Sequence, residues 1–145
     1  MARLPSAVLF VCSFNRTRSP MAAALMRQLH GDRVYVDSCG IEAGPGLDPL
    51  VVEVLAEAGI EAMVRAPKSL EQLEDDSFDL VVSLTPDAQH RVAQRLRGRA
   101  VELEYWPTFD PTEAEGSREV ILDAYRRLRD QLCQSIRERF GTPST

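Results

Sequence analysis

The stretch Val8-Leu9-Phe10-Val11-Cys12-Ser13-Phe14-Asn15-Arg16-Thr17-Arg18-Ser19-Pro20 decides the fold. Residues 7–12 form a continuous apolar run rather than an alternating one, as in a central strand of a parallel sheet covered on both faces. Pro20 suits the first turn of a helix, and Met21, Ala24, Leu25 and Leu29 recur at helical spacing as far as His30-Gly31. Between strand and helix lies a short polar loop in which a thiol, Cys12, and a guanidinium, Arg18, are separated by five residues. A loop that ends at a helix N-terminus turns backbone N–H groups toward an anion. The stretch therefore predicts a strand, an oxyanion cradle and a helix, with Ser13, Phe14, Asn15, Arg16, Thr17 and Arg18 forming a phosphate-binding loop around Cys12.

The rest of the chain repeats the βα pattern. Val34 to Ser38 reads as a second strand, and Asp48-Pro49 as N-cap and first residue of a helix whose stripe (Leu50, Val51, Val54, Leu55, Ala58) ends at Gly59. Residues 60–77 are less regular, with a break at Ala66-Pro67 and a short helical turn over Ser69 to Leu73. Phe78 to Leu84 reads as a buried strand, Pro86 opens a helix carrying Ala88, Val92, Ala93 and Leu96, and Val101 to Glu104 forms a fourth strand. Val120, Ile121, Ala124, Tyr125, Leu128, Leu132, Ile136 and Phe140 mark one apolar face of a long final helix, capped by Ser117 and closed by Gly141. This order predicts an α/β fold: a three-layer sandwich with a four-stranded parallel sheet and helices on both faces. Ligands in such sheets bind at the carboxyl ends of strands, where the Cys12 loop falls.

Composition narrows the function. A chain of 145 residues is the size of one domain, expected over residues 1–141 with a frayed tail at 142–145. The net charge of -5 argues against general nucleic-acid binding, although Arg16, Arg18 and Arg27 supply local positive charge. No segment is apolar enough to cross a membrane, and residues 1–6 do not resemble a secretory leader, so a cytoplasmic location is expected. Three widely spaced cysteines without a CxxC pair, and two histidines, suggest neither a disulfide framework nor a zinc site.

The loop has a chemistry of its own. A helix N-terminus and a neighbouring arginine favour the thiolate of Cys12, making it a nucleophile without a separate base. Arg18 offers a planar fork for two phosphoryl oxygens, and Ser19 can donate to the sulfur. Asn15 tolerates the left-handed backbone that such a loop needs, with Ser38 placed to share its hydrogen bonding. Cleaving a phosphate ester also requires an acid for the departing oxygen. Asp110, fixed by Pro111 beyond the last strand, is the candidate, with Trp106 and Phe109 beside it to limit water. Tyr105, Trp106 and Phe109, together with Phe14, are expected to flank an aryl ring.

Val11-Cys12 through Arg18-Ser19-Pro20, then Asp37-Ser38-Cys39-Gly40, Phe78-Asp79-Leu80-Val81-Val82 and Asp110-Pro111 together resemble the low-molecular-weight protein-tyrosine phosphatase family, which also contains the thioredoxin-linked arsenate reductases. The resemblance implies Cys12 as nucleophile, Arg18 as phosphate binder, Asp110 as general acid, a cysteinyl-phosphate intermediate, and no metal or other cofactor. The implied partner is a phosphorylated protein or small aryl phosphate, with the protein monomeric or weakly self-associating. Phe14 stands where many members have glycine, and Thr17 where many have a second cysteine. A disulfide between Cys12 and Cys39 remains open. The expected activity is a phosphomonoesterase. The alternatives are arsenate reduction, which as the family practises it needs two further cysteines that residues 83–90 lack, and a catalytically weak phosphate-binding regulatory module.

Overall fold

The structure, a computed structural model, describes residues 4–62, 66–73 and 77–143. The elements run in the order β1 (Ala7–Cys12), α1 (Arg18–His30), β2 (Tyr35–Gly40), α2 (Pro49–Glu57), β3 (Leu80–Ser83), α3 (Pro86–Arg95), β4 (Glu102–Tyr105), a 3-10 turn (Pro111–Glu113) and α4 (Arg118–Phe140). The strands form one parallel sheet in the order β2-β1-β3-β4, as the repeated βα pattern predicts. β1 lies between β2 and β3, so successive crossovers leave it on opposite sides. Its carboxyl end is therefore the point where a ligand crevice opens.

Both faces are covered. Val8, Phe10 and Cys12 of β1, with Val36, Leu80 and Val82, pack against α1, α2 and α4; Leu9 and Val11, with Cys39 and Val81, pack against α3 and Leu70 and Phe78. β1 is buried at all six positions, which is why its sequence shows no alternation. α1 is buried on most sides, and it begins at Arg18, two residues before the proline that announces it. In α4, Leu122 rather than Val120 faces the core; Val120 is exposed. β3 is shorter than the apolar run over residues 78–84, and residues 69–73 form a turn beside a bridge from Ser69 to Gly40 rather than a helix. Parts of the expected leader-free start and of the tail fall on residues 1–3 and 144–145, outside the described residues.

The N-caps expected at Asp48 and Ser117 form, and Thr85 caps α3 ahead of Pro86. The side chains of Asp48, Thr85 and Ser117 accept from Leu50, Ala88 and Val120 N–H groups, and Gly141 closes α4 at φ 85°. Gly40 has a different task. A Cβ there would stand 2.6 Å from the Asn15 nitrogen, 2.6 Å from the Glu42 oxygen and 2.7 Å from the Phe14 carbonyl carbon, all of them backbone atoms. Gly40→Ala is therefore expected to push the Cys12 loop off β2 and destabilise the fold by about 1–3 kcal/mol, as overpacking does elsewhere. Urea denaturation checks this, and an unchanged midpoint would show that the loop can yield.

Candidate active site

The loop between β1 and α1 is held by its carbonyls. The Cys12, Ser13, Phe14 and Arg16 oxygens accept from the N–H groups of Ile41, Glu42, Gly44 and Asp48 at 3.0, 3.0, 2.9 and 3.1 Å. A trans peptide points its N–H opposite to its C=O, and no cis bond occurs among the described residues. Carbonyls turned toward residues 41–48 therefore turn the N–H groups of Ser13, Phe14, Asn15 and Thr17 the other way. That is an anion-binding nest at the start of α1.

Asn15 is the only described non-glycine residue with positive φ, at 54°. Its side chain fixes that conformation from three directions: Nδ2 donates to Ser19 Oγ and Ser38 Oγ, both at 2.9 Å, and Oδ1 accepts from Lys68 N–H at 3.0 Å. Ser19 Oγ lies 2.9 Å from Cys12 Sγ, and Ser19 N–H donates to the same sulfur at 3.4 Å. Thus the sulfur at the end of β1 receives hydrogen bonding from the first turn of α1.

Cys12, Ser13, Phe14, Arg16, Thr17 and Arg18 line one cavity of about 200 Å³ with Asp110 and Thr112. Arg18 Nη1 donates to the Thr108 carbonyl at 3.2 Å, tying the cradle to the loop after β4. Thr108 is itself anchored just past the end of β3 through its Oγ1 bond to the Leu84 carbonyl at 2.9 Å. The Asp110 carboxylate accepts from Thr112 N–H at 3.0 Å and from Thr112 Oγ1 at 2.6 Å, which orients it at the cavity edge. Ser13 Oγ turns away to Asp87 Oδ1 at 3.0 Å. Burial pushes the Asp87 carboxyl up, but hydrogen bonds from Thr85, Ser13 and the Ala88 N–H outweigh it and hold the group below its ordinary value.

Some expected contributors lie elsewhere. Trp106 packs between Phe10 and Phe140, with ring centroids 5.9 and 6.1 Å away, so it belongs to the core and does not shield Asp110. Of the four aromatics expected around a substrate ring, Phe14 is the one lining the cavity, and it is 53% exposed. Arg27 donates to the Val36 carbonyl at 2.7 Å, behind the loop. Cys39 is a free thiol on the opposite face of the sheet from Cys12, because strand alternation pairs it with Val11. The disulfide left open by the sequence is therefore disfavoured by the pleat.

Other residues reach the site through long-range contacts: Asp48, which the sequence marks only as an N-cap, and Tyr125. Asp48, buried at 3% exposure, caps α2 through Oδ1, and its Oδ2 accepts from Tyr125 of α4 at 2.6 Å and from Thr17 of the loop at 3.1 Å. Burial and this carboxylate push the Tyr125 phenol well above its ordinary range. Among the described residues no group of three or more His, Cys, Asp or Glu is arranged to hold a metal ion, and no helix is long and apolar enough to cross a membrane.

Residues 7–140 match the family model for low molecular weight phosphotyrosine protein phosphatase. The chain belongs to that family. It is 32% identical over 131 residues to an arsenate reductase of Bacillus subtilis (strain 168), covering 90% of this chain and 92% of the relative. A low molecular weight protein tyrosine phosphatase from Bacillus subtilis superposes with a TM-score of 0.72 at 29% identity, over 91% of this chain and 93% of the other. The YwlE arginine phosphatase, in a Cys-to-Ser form with a phosphorylated active-site serine, superposes at 0.71 with 28% identity over 91% of each chain. The α/β fold and the hydrolase family expected from the sequence are thereby established.

Burial pushes the Cys39 thiol up from 9.0 to about 12, with the charges of Cys12 and Asp37 acting in the same direction. A raised value means that the folded chain keeps a proton that the unfolded chain loses, so stability falls as pH rises from 9.0 toward about 12. The slope from this group reaches at most about 1.4 kcal/mol per pH unit. Cys39→Ala should flatten the alkaline arm of a stability-against-pH curve, measured by urea unfolding. An unchanged slope would remove Cys39 from that account.

Proposed function

We propose that the protein is a phosphomonoesterase acting on phosphotyrosine in proteins or on small aryl phosphates, with Cys12, Arg18 and Asp110 as its catalytic residues. The observation that carries the reading is that these three side chains line one cavity beside a loop whose N–H groups turn inward. The phosphorylated active-site serine of the YwlE mutant supports assigning the attack to Cys12.

In the first step Cys12 Sγ attacks phosphorus in line with the ester oxygen, and an S–P bond forms as the P–O bond breaks. The loop N–H groups and the Arg18 fork hold the three equatorial oxygens in the planar, in-line arrangement of the transition state. The ester oxygen leaves with its electron pair and takes the proton of Asp110. In the second step water attacks phosphorus, the Asp110 carboxylate takes its proton, and the S–P electron pair returns to sulfur. Ser19 Oγ, 2.9 Å from that sulfur, stabilises it as the leaving group. The products are an alcohol or phenol and inorganic phosphate. The steps draw on no metal and no redox partner, and the proposed setting is a monomeric or weakly self-associating protein in the cytoplasm.

Arsenate reduction is favoured by the curated relatives, several of which are arsenate reductases at 32% identity. Reducing arsenate by two electrons oxidises two thiols to a disulfide, so a second cysteine must reach the first. The chain has three cysteines. Cys39 faces the other side of the sheet, and Cys133, on α4, packs at the edge of the core. The arrangement favours hydrolysis.

Cys12→Ser should abolish turnover of aryl phosphates. Asp110→Asn should lower kcat by about 10²–10⁴ for an ester with a poor leaving group and much less for p-nitrophenyl phosphate, whose phenolate leaves without a proton. Steady-state kinetics over a series of phenols checks this. Equal losses across the series would remove Asp110 from the acid role, and arsenate-dependent consumption of a thiol donor would favour the reductase.

A further inference from the structure

The cavity contains more positive charge than one phosphoryl group requires. Arg18 supplies a fork for the phosphate, yet Arg16 lines the same space. Its backbone is held by the Asp48 N–H, which fixes where the side chain starts. Its guanidinium has no matching close partner. Nη1 is 3.8 Å from Asp48 Oδ2, an oxygen that already accepts from Tyr125 and Thr17. Nε is the one buried side-chain polar atom without a hydrogen-bond partner among the described residues. A structural strut would form the short bidentate pair that arginine geometry allows, and leaving a buried donor unpaired is costly. The side chain is also 36% exposed, so a molecule entering the cavity can reach it.

We infer that Arg16 is a specificity-determining residue that receives a second anionic group on the substrate. This inference rests on the phosphomonoesterase reading and names its substrate class: an aryl phosphate carrying a carboxylate or a further phosphate close to the ring. The loop then divides the substrate three ways. Arg18 and the N–H groups take the phosphoryl group, Phe14 offers an exposed apolar face to the ring, and Arg16 neutralises the second charge. The Asp48 carboxylate, 3.8 Å from Arg16 Nη1, is a counter-ion that does not saturate the guanidinium. A second anion meets the exposed part of that side chain, which its 3.8 Å approach to Asp48 leaves without a close ion pair.

An isosteric pair tests the inference. 3-Carboxyphenyl phosphate and 3-carbamoylphenyl phosphate differ chiefly in the charge of one substituent. The protein should favour the carboxylate by about tenfold in kcat/KM, expressed mainly in KM, as one charge-assisted contact allows. The preference should shrink as salt rises. Arg16→Gln should bring the ratio of the two substrates to about one, and Arg16→Lys should restore part of it, since the charge remains and the fork is lost. Reading a ratio cancels any general damage to the loop. The corresponding benzylphosphonates, with and without the carboxylate, are measured in parallel by calorimetry, which needs no turnover. If neither ester is hydrolysed, the esterase reading fails, while the phosphonates still decide for or against Arg16. Equal binding of the two phosphonates by the unmodified protein, or a carboxylate preference that survives Arg16→Gln, overturns the inference.

Discussion

Everything at the site depends on the four loop carbonyls being drawn outward by the N–H groups of residues 41–48. An isolated loop of this length would satisfy its backbone with water in many conformations. Here the segment after β2 supplies a donor for each of these carbonyls, and the trans peptide geometry delivers the opposing N–H groups to the cavity. The close approach requires Gly40, because a side chain at that point collides with the backbone of Phe14 and Asn15. Asn15 then completes the turn, its positive φ offset by hydrogen bonds to Ser19, Ser38 and Lys68. The sulfur at the end of β1 is thus surrounded by groups whose positions the sheet has already set.

A second constraint couples that loop to the far helices. Asp48 caps α2, accepts from Thr17 of the loop and accepts from Tyr125 of α4. Because the carboxylate is buried, each of these bonds is stronger than it would be in water, and loss of any one leaves a partner unsatisfied. The same carboxylate lies near Arg16 without pairing closely to it. One residue therefore ties the cradle to α2 and α4 while leaving the Arg16 guanidinium at its edge only loosely paired.

Much of this was legible in the sequence, for physical reasons that differ by element. β1 shows itself through an unbroken apolar run because both of its faces are buried, and α2, α3 and α4 through Asp48, Pro86 and Ser117 at their starts. The Cys12-to-Ser19 loop was readable because strand, nest and helix are consecutive in the chain. Residues acting over long separations were not. Tyr125 reads as one member of an apolar stripe, and nothing in its neighbourhood announces a bond to a carboxylate 77 positions away. Trp106 shows the converse: adjacency to Asp110 in sequence suggests a role at the mouth, but strand alternation and core packing send the indole toward Phe10 and Phe140. Cys39 is a related case, since closeness of two cysteines across neighbouring strands says little until register and pleat assign each to a face.

The family contains both phosphate ester hydrolysis and arsenate reduction, and the two part ways only after the sulfur has made its first attack. A hydrolase needs water and a proton carrier at the cavity, whereas a reductase needs a second thiol within reach. Asp110 lines the cavity, and neither Cys39 nor Cys133 does. The most direct measurement is rapid acid quenching during turnover of an aryl phosphate, with mass spectrometry of the peptide containing Cys12. The account predicts a transient phosphoryl group on Cys12 that forms before phosphate is released and decays with it. Phosphate release with Cys12 never modified, or a phosphoryl group on another side chain, would contradict it.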